Sequence, residues 1–154
     1  MTEAVTEIAS IGYEKATLNE VLGALRAARI ETLIDVRDLP NSRRAGFSKR
    51  QLQAAIEEAG MRYVHLKGLG TPKEGRIANK QRDWERFWRI VERQMETPAA
   101  GLDLQRAGET ARGSRSCLLC YEADHRICHR HRVAEELERR YGLTPHHLVP
   151  WKTR

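Results

Sequence analysis

TLNEVLGALRAARIETLIDVR, residues 17 to 37, passes from one periodicity to another within a single stretch. Leu18, Val21, Leu22 and Leu25 recur at helical spacing, and Thr17 and Glu20 are placed as a capping box, so a helix over 17–30 is expected. The apolar run that follows, TLIDV at 32–36, is what a central parallel strand buried on both faces requires. A helix feeding a doubly buried strand is the repeating unit of an α/β fold.

The alternation continues in both directions from this unit. EIASI (7–11) reads as a first strand. Ser48 and Gln51 read as a second capping box ahead of the helix SKRQLQAAIEEA, with Gly60 as its stop, and RYVHL (62–66) reads as a third strand. From Asp83, the positions Trp84, Phe87, Trp88, Val91 and Met95 predict a helix ending near Pro98, its aromatics facing a core rather than stacking on bases. Residues 99–115 suggest a short helix and a loop. SCLLC (116–120) is expected as a fourth strand, Arg130 to Tyr141 as a helix closed by Gly142, and HHLV (146–149) as a short strand at the sheet edge. The whole chain, 1–154, is expected to form one α/β domain with a mostly parallel sheet of about five strands flanked by helices, a rhodanese-like or flavodoxin-like three-layer sandwich.

Composition bounds the function. A chain of 154 residues supports one core, and no apolar run approaches the roughly 20 residues of a membrane span. The N-terminus, MTEAVTEIAS, lacks the features of a secretory signal, so a cytoplasmic protein with no membrane partner is expected. Cys117, Cys120 and Cys128 are too few for a disulfide framework and are expected as reduced thiols. The net charge of +6 is unevenly spread. Arg37, Arg43, Arg44, Lys49, Arg50, Arg62, Lys67, Lys73, Arg76, Lys80 and Arg82 face only Asp38 and Glu74 over 37–50 and 61–82. Such loops attract polyanions.

Parallel strands with right-handed crossovers bring every strand-to-helix loop to one end of the sheet, where open α/β sheets bind ligands. The loops beginning at Gly12, Arg37, Lys67 and Tyr121 hold the chemistry. Asp35 and Arg37 lie two apart, suited to a structural ion pair or to a positioned acid/base group. Ser42, Arg43 and Arg44 follow Pro40 and offer a phosphate clamp or a solvated basic loop. In HLKGLGTPKEGR (65–76), glycines among bases let backbone N–H groups approach an anion, although the spacing fits neither a dinucleotide fingerprint nor a P-loop. His65 is either a satisfied half-buried histidine or a site residue.

LLCYEADHRICHR (118–130) is the densest stretch. Glu122, two residues after Cys120, is read as a general acid or base among Arg126, Arg130 and Arg37, or as an anchor for an arginine. Cys128 and His129 fall at a helix start, where amides favour a thiolate or a bound anion. Zinc would need Cys120, Cys128 and histidines among His125, His129 and His131, and the seven residues between the cysteines depart from the short paired spacing of structural zinc sites. A nucleophilic Cys120, with Arg126 six positions on, has the outline of a rhodanese or phosphatase loop but lacks its small, glycine-rich turn. A polar site centred on Glu122 and Arg130 is the preferred reading. No metal and no other cofactor is expected.

Residues 10–48, then YVHLKGLG, then LLCYEADHRICHR together resemble the family called domain of unknown function 488, through DVR, a Pro-x-Ser-Arg loop, HLKGLG and C-x-E followed by C-H-R. The resemblance implies a compact cytoplasmic α/β domain with its motifs at one end of the sheet, and names no activity. It carries over Asp35, Arg37, Ser42, Arg43, His65, Gly68, Gly70, Cys120, Glu122, Cys128, His129 and Arg130 as site residues. The chain departs from the family in having Tyr13 and Glu14 after Ile-Gly.

The function expected is hydrolysis of a glycosidic or phosphoester bond in a nucleic acid or nucleotide, nuclease-like or glycosylase-like and of the kind used in DNA repair. Glu122 and Asp35 would move protons, with Cys120 and His65 beside them. Arg37, Ser42, Arg43, Lys67, Gly68, Gly70, Cys128, His129, Arg130 and Tyr13 would hold substrate. The alternatives are Cys120-dependent sulfurtransferase or phosphatase chemistry and a non-catalytic nucleic-acid-binding module.

Overall fold

The computed structural model describes residues 4–151. Five strands, β1 (Glu7–Gly12), β2 (Thr32–Asp35), β3 (Arg62–His65), β4 (Ser116–Cys120) and β5 (Thr144–His147), form one sheet in the order β3-β2-β4-β1-β5 with every neighbouring pair parallel. The helices are α1 (Leu18–Ala27), α2 (Lys49–Glu58), α3 (Lys73–Lys80), α4 (Trp84–Met95), α5 (Pro98–Gly113) and α6 (His129–Tyr141). The expected three-layer α/β sandwich is observed, with a strand order that differs from the 2-1-3-4-5 of flavodoxin.

Strand parity builds the two outer layers. Ala9 and Ile11 of β1, Leu33 of β2, and Cys117 and Leu119 of β4 pack with Val21, Leu22 and Leu25 of α1 and Leu52 and Ile56 of α2. Ile8, Ile34, Leu118 and Cys120 point the other way, onto Leu104, Ala107 and Ala111 of α5 and Val133, Ala134 and Leu137 of α6. Burying each large aliphatic side chain here contributes roughly 1.5–3 kcal/mol. A third, smaller cluster of Ala78, Phe87 and Val91, flanked by Trp84 and Trp88, closes the α3–α4 hairpin, so those aromatics do face a core.

Four local expectations need correction. The Thr17–Glu20 capping box is present, but Ser48 makes no capping bond and Gln51 instead accepts from the Gly46 amide. Residues 98–113 form one long helix, started by Thr97 accepting from the Ala100 amide with Pro98 in the first turn. Its buried stripe is mostly small, Ala100, Leu104, Ala107, Gly108 and Ala111, because Tyr141 lies against Gly108, and small residues give a weak apolar period. The glycine-rich basic stretch is helical from Lys73, where Gly75 admits Thr71 and Ile90. The last strand starts two residues earlier than expected, at Thr144, and does lie at the edge.

Connections leave β2 toward β3 and leave its neighbour β4 toward β5, in opposite directions across the sheet. The crevice outside the carboxyl ends of β2 and β4 is therefore a topological switch point, the usual place for a ligand. No helix among the described residues is long and apolar enough to cross a membrane.

Candidate functional site

Register decides which residues meet at that crevice. Asp35 pairs with Leu119, so Cys120 lies one residue further on and faces the opposite layer. The sequence places Glu122 beside Arg37; the fold separates them into two constellations on opposite sides of the sheet.

On the α1/α2 side, Asp35 is fully buried and saturated. Arg37 grips it from Nε to Oδ1 at 2.9 Å and from Nη2 to Oδ2 at 2.7 Å, the Arg37 amide also donates to Oδ1, and the Tyr63 hydroxyl donates to Oδ2. Arg37 Nη1 donates to the Phe47 carbonyl at 2.6 Å and to the Tyr13 hydroxyl at 3.2 Å. Tyr13 stacks on Phe47, with ring centroids 4.3 Å apart. Burial, and then the charge of Asp35, push the Tyr63 hydroxyl up, which keeps it a donor. Asp35, Arg37 and Tyr13 thus form a closed knot, the structural ion pair that was one of the two readings of Asp35 and Arg37. Tyr63 and Phe47 complete it; both fall within the stretches that resemble the family, but neither is singled out there as a site residue.

The neighbouring loops are also occupied internally. His65 Nε2 lies 2.7 Å from the Arg37 carbonyl, which makes it a satisfied half-buried histidine. The Gly68 amide donates to Asp103 and the Gly70 amide to the Lys67 carbonyl, so neither is aimed at an anion. These glycines serve close packing: a Cβ on Gly70 would come within 2.3 Å of the Asp38 amide nitrogen. Ser42 accepts from the Arg44 amide, while Arg43 and Lys67 are exposed.

On the α6 side lies the second constellation. Cys120 ends β4, and Cys128 caps α6 after the 3-10 turn His125–Ile127. Cys120 Sγ is 3.7 Å from Glu122 Oε2 and 3.6 Å from His129 Nδ1, and Cys128 Sγ is 3.9 Å from the same nitrogen. His129 Nε2 lies 2.8 Å from the Val36 carbonyl. A carbonyl only accepts, so Nε2 carries a proton and Nδ1 is the nitrogen that faces the thiols. Burial, and then Cys128, push the Glu122 carboxyl up to about 8. Burial also pushes the Cys120 thiol up; at Cys128 burial acts the same way but is outweighed by the Cys120 thiol and His129, which hold Cys128 low.

Arg130 is not the partner of the Glu122 carboxylate. Fully buried, it donates to the Glu122 and Ala123 carbonyls and to Ser10 Oγ, fixing the loop after β4 from below. Arg126 pairs with Asp124 instead. Gly12 lets β1 reach this loop, because a Cβ there would lie 1.8 Å from the Glu122 carbonyl oxygen. Sequence reasoning treats Gly12 only as a loop start and passes over Ser10.

Two groups could hold a metal among the described residues: Cys120, Cys128 and His129, and separately His125, His131 and His147. In the second the rings of His125 and His147 stack 3.5 Å apart at 6°, so their in-plane lone pairs run side by side rather than converging.

No curated protein and no solved structure matches the chain. Residues 17–137 match the family Domain of unknown function DUF488, a span from α1 to β4 and most of α6 that includes Asp35, Arg37, Cys120, Glu122, Cys128 and His129 but not Tyr13, and the chain belongs to that family.

Proposed function

We propose that this protein is a cytoplasmic enzyme acting on a phosphate-bearing substrate, a nucleic acid or nucleotide, with Glu122 as the group that moves a proton during hydrolysis. The observation that carries the reading is the standing of Glu122 among the acids at this end of the sheet. Asp35, Asp38, Asp103 and Asp124 are each paired with an arginine and Glu14 accepts from the Ala123 amide, whereas Glu122 lies half-buried against the Cys120 thiol and is in no ion pair among the described residues. A carboxyl so placed can exchange a proton with a bound molecule. Arg43, Lys49, Arg50, Lys67 and Lys73 are exposed on the loops and helix starts of the same end, and none pairs with an acid among the described residues. Cations of this kind position phosphates.

Thiol chemistry is less well supported. The low thiol is Cys128 rather than Cys120, and Cys128 is fully buried, where no electrophile reaches it. The test is binding and turnover of single- and double-stranded DNA and RNA at several salt concentrations. Binding that weakens with salt, a salt slope reduced by about 1 in Arg43→Ala, and turnover lost in Glu122→Gln are expected. Salt-independent binding would sink the reading, and tight binding with no turnover by either protein would make this a binding module.

A further inference from the structure

We propose that Cys120, Cys128 and His129 bind a single divalent ion of the zinc type. The proposal does not depend on the identity of the substrate.

The spacing is the first reason. Zinc–sulfur bonds of about 2.3 Å and zinc–nitrogen bonds of about 2.0–2.1 Å put sulfur and nitrogen about 3.6 Å apart at neighbouring corners of a tetrahedron. The two thiols lie 3.6 and 3.9 Å from His129 Nδ1, and all three donor atoms are within 4.8 Å of one another.

The second reason is the orientation of the imidazole. Histidine ligands hold their free nitrogen on a carboxylate or a backbone carbonyl, which fixes the tautomer and raises the basicity of the other nitrogen. Val36 supplies that carbonyl, from the end of a neighbouring strand. Without an ion, Nδ1 has the two sulfurs beside it, and sulfur is a weak hydrogen-bonding partner. The core cluster that holds both thiols, with Val36, Leu66, Leu69 and Val133, is apolar.

The third reason is chemical class. Two thiolates and one imidazole form a soft to borderline set that selects zinc over magnesium or calcium. Three protein donors are the set of a zinc that keeps a fourth position for water or substrate. The wide spacing C-x7-C-H hides the set in the sequence. It closes in space because β4 ends where α6 begins, with the 3-10 turn spanning the gap.

The test uses the full chain, reduced and stripped with a chelator, titrated with zinc and in parallel with cobalt. One ion per chain is expected, with the intense visible bands of tetrahedral cobalt and a thiolate-to-cobalt charge-transfer band. Cys128→Ser and His129→Ala should each weaken binding by at least about 100-fold, while His147→Ala leaves it unchanged. The cobalt spectrum of the native chain reports thiolate ligation even if a variant fails to fold. Absence of a bound ion in the folded, reduced chain, a spectrum without thiolate ligation, or loss of binding in His147→Ala alone would overturn the proposal.

Discussion

His129 Nε2 donates to the carbonyl of Val36 across 2.8 Å, joining the first turn of α6 to the residue that follows β2. One bond therefore spans the switch point and at the same time sets which nitrogen of the ring faces Cys120 and Cys128. His129→Ala leaves that buried carbonyl unanswered, and in chelator it should cost about 1–3 kcal/mol in urea unfolding. A loss within error would mean that the carbonyl finds water and that the ring is not a tie between strands.

The knot on the other side of the sheet should dominate stability. Asp35→Asn removes the charge that answers Arg37 at a site where Asp35 is 0% and Arg37 4% exposed, and about 3–5 kcal/mol of destabilisation is expected. Tyr63→Phe removes one donor to the same carboxylate and should cost about 1 kcal/mol. If Asp35→Asn were as stable as the native chain and lost turnover alone, Asp35 would return to the catalytic machinery.

Gly12→Ala tests how the Glu122 loop is held. Its Cβ would fall 1.8 Å from the Glu122 carbonyl oxygen, which Arg130 also binds, so the loop has to move. A destabilisation of about 1–3 kcal/mol and reduced turnover are expected together, read by thermal unfolding and by rate. An unchanged rate would detach Glu122 from the reaction.

Acid stability should depend on Glu136. Its carboxyl is held down at about 2, against its own desolvation, by Arg139, Arg132 and Arg140. A carboxylate held low in the folded chain stabilises it above its unfolded pKa and loses that contribution as the pH falls. Stability should therefore decline between roughly pH 5 and pH 2, and Glu136→Gln should flatten the decline. Equal slopes for the two proteins would contradict this.

Much of the fold was legible in the sequence because TLIDV and SCLLC are too apolar for an exposed strand and Thr17–Glu20 marks a helix start. Helices α3 and α5 were not, since Gly75, Ala78, Ala107 and Gly108 pack by smallness and leave no apolar stripe. The site was half legible. The residues singled out do gather at one end of the sheet, but their grouping depends on parity, and a one-residue offset between Asp35 and Cys120 sends them to opposite layers. Spacing along the chain carries no register, so Glu122 looked like a partner of Arg37.

The most direct test of the account is product release from DNA and RNA substrates, single- and double-stranded and including damaged bases, followed by alkali to reveal abasic sites. The native chain is expected to release product and Glu122→Gln, folded and binding with the same salt dependence, is expected not to. Equal release by both proteins would remove Glu122 from the chemistry and with it the central claim.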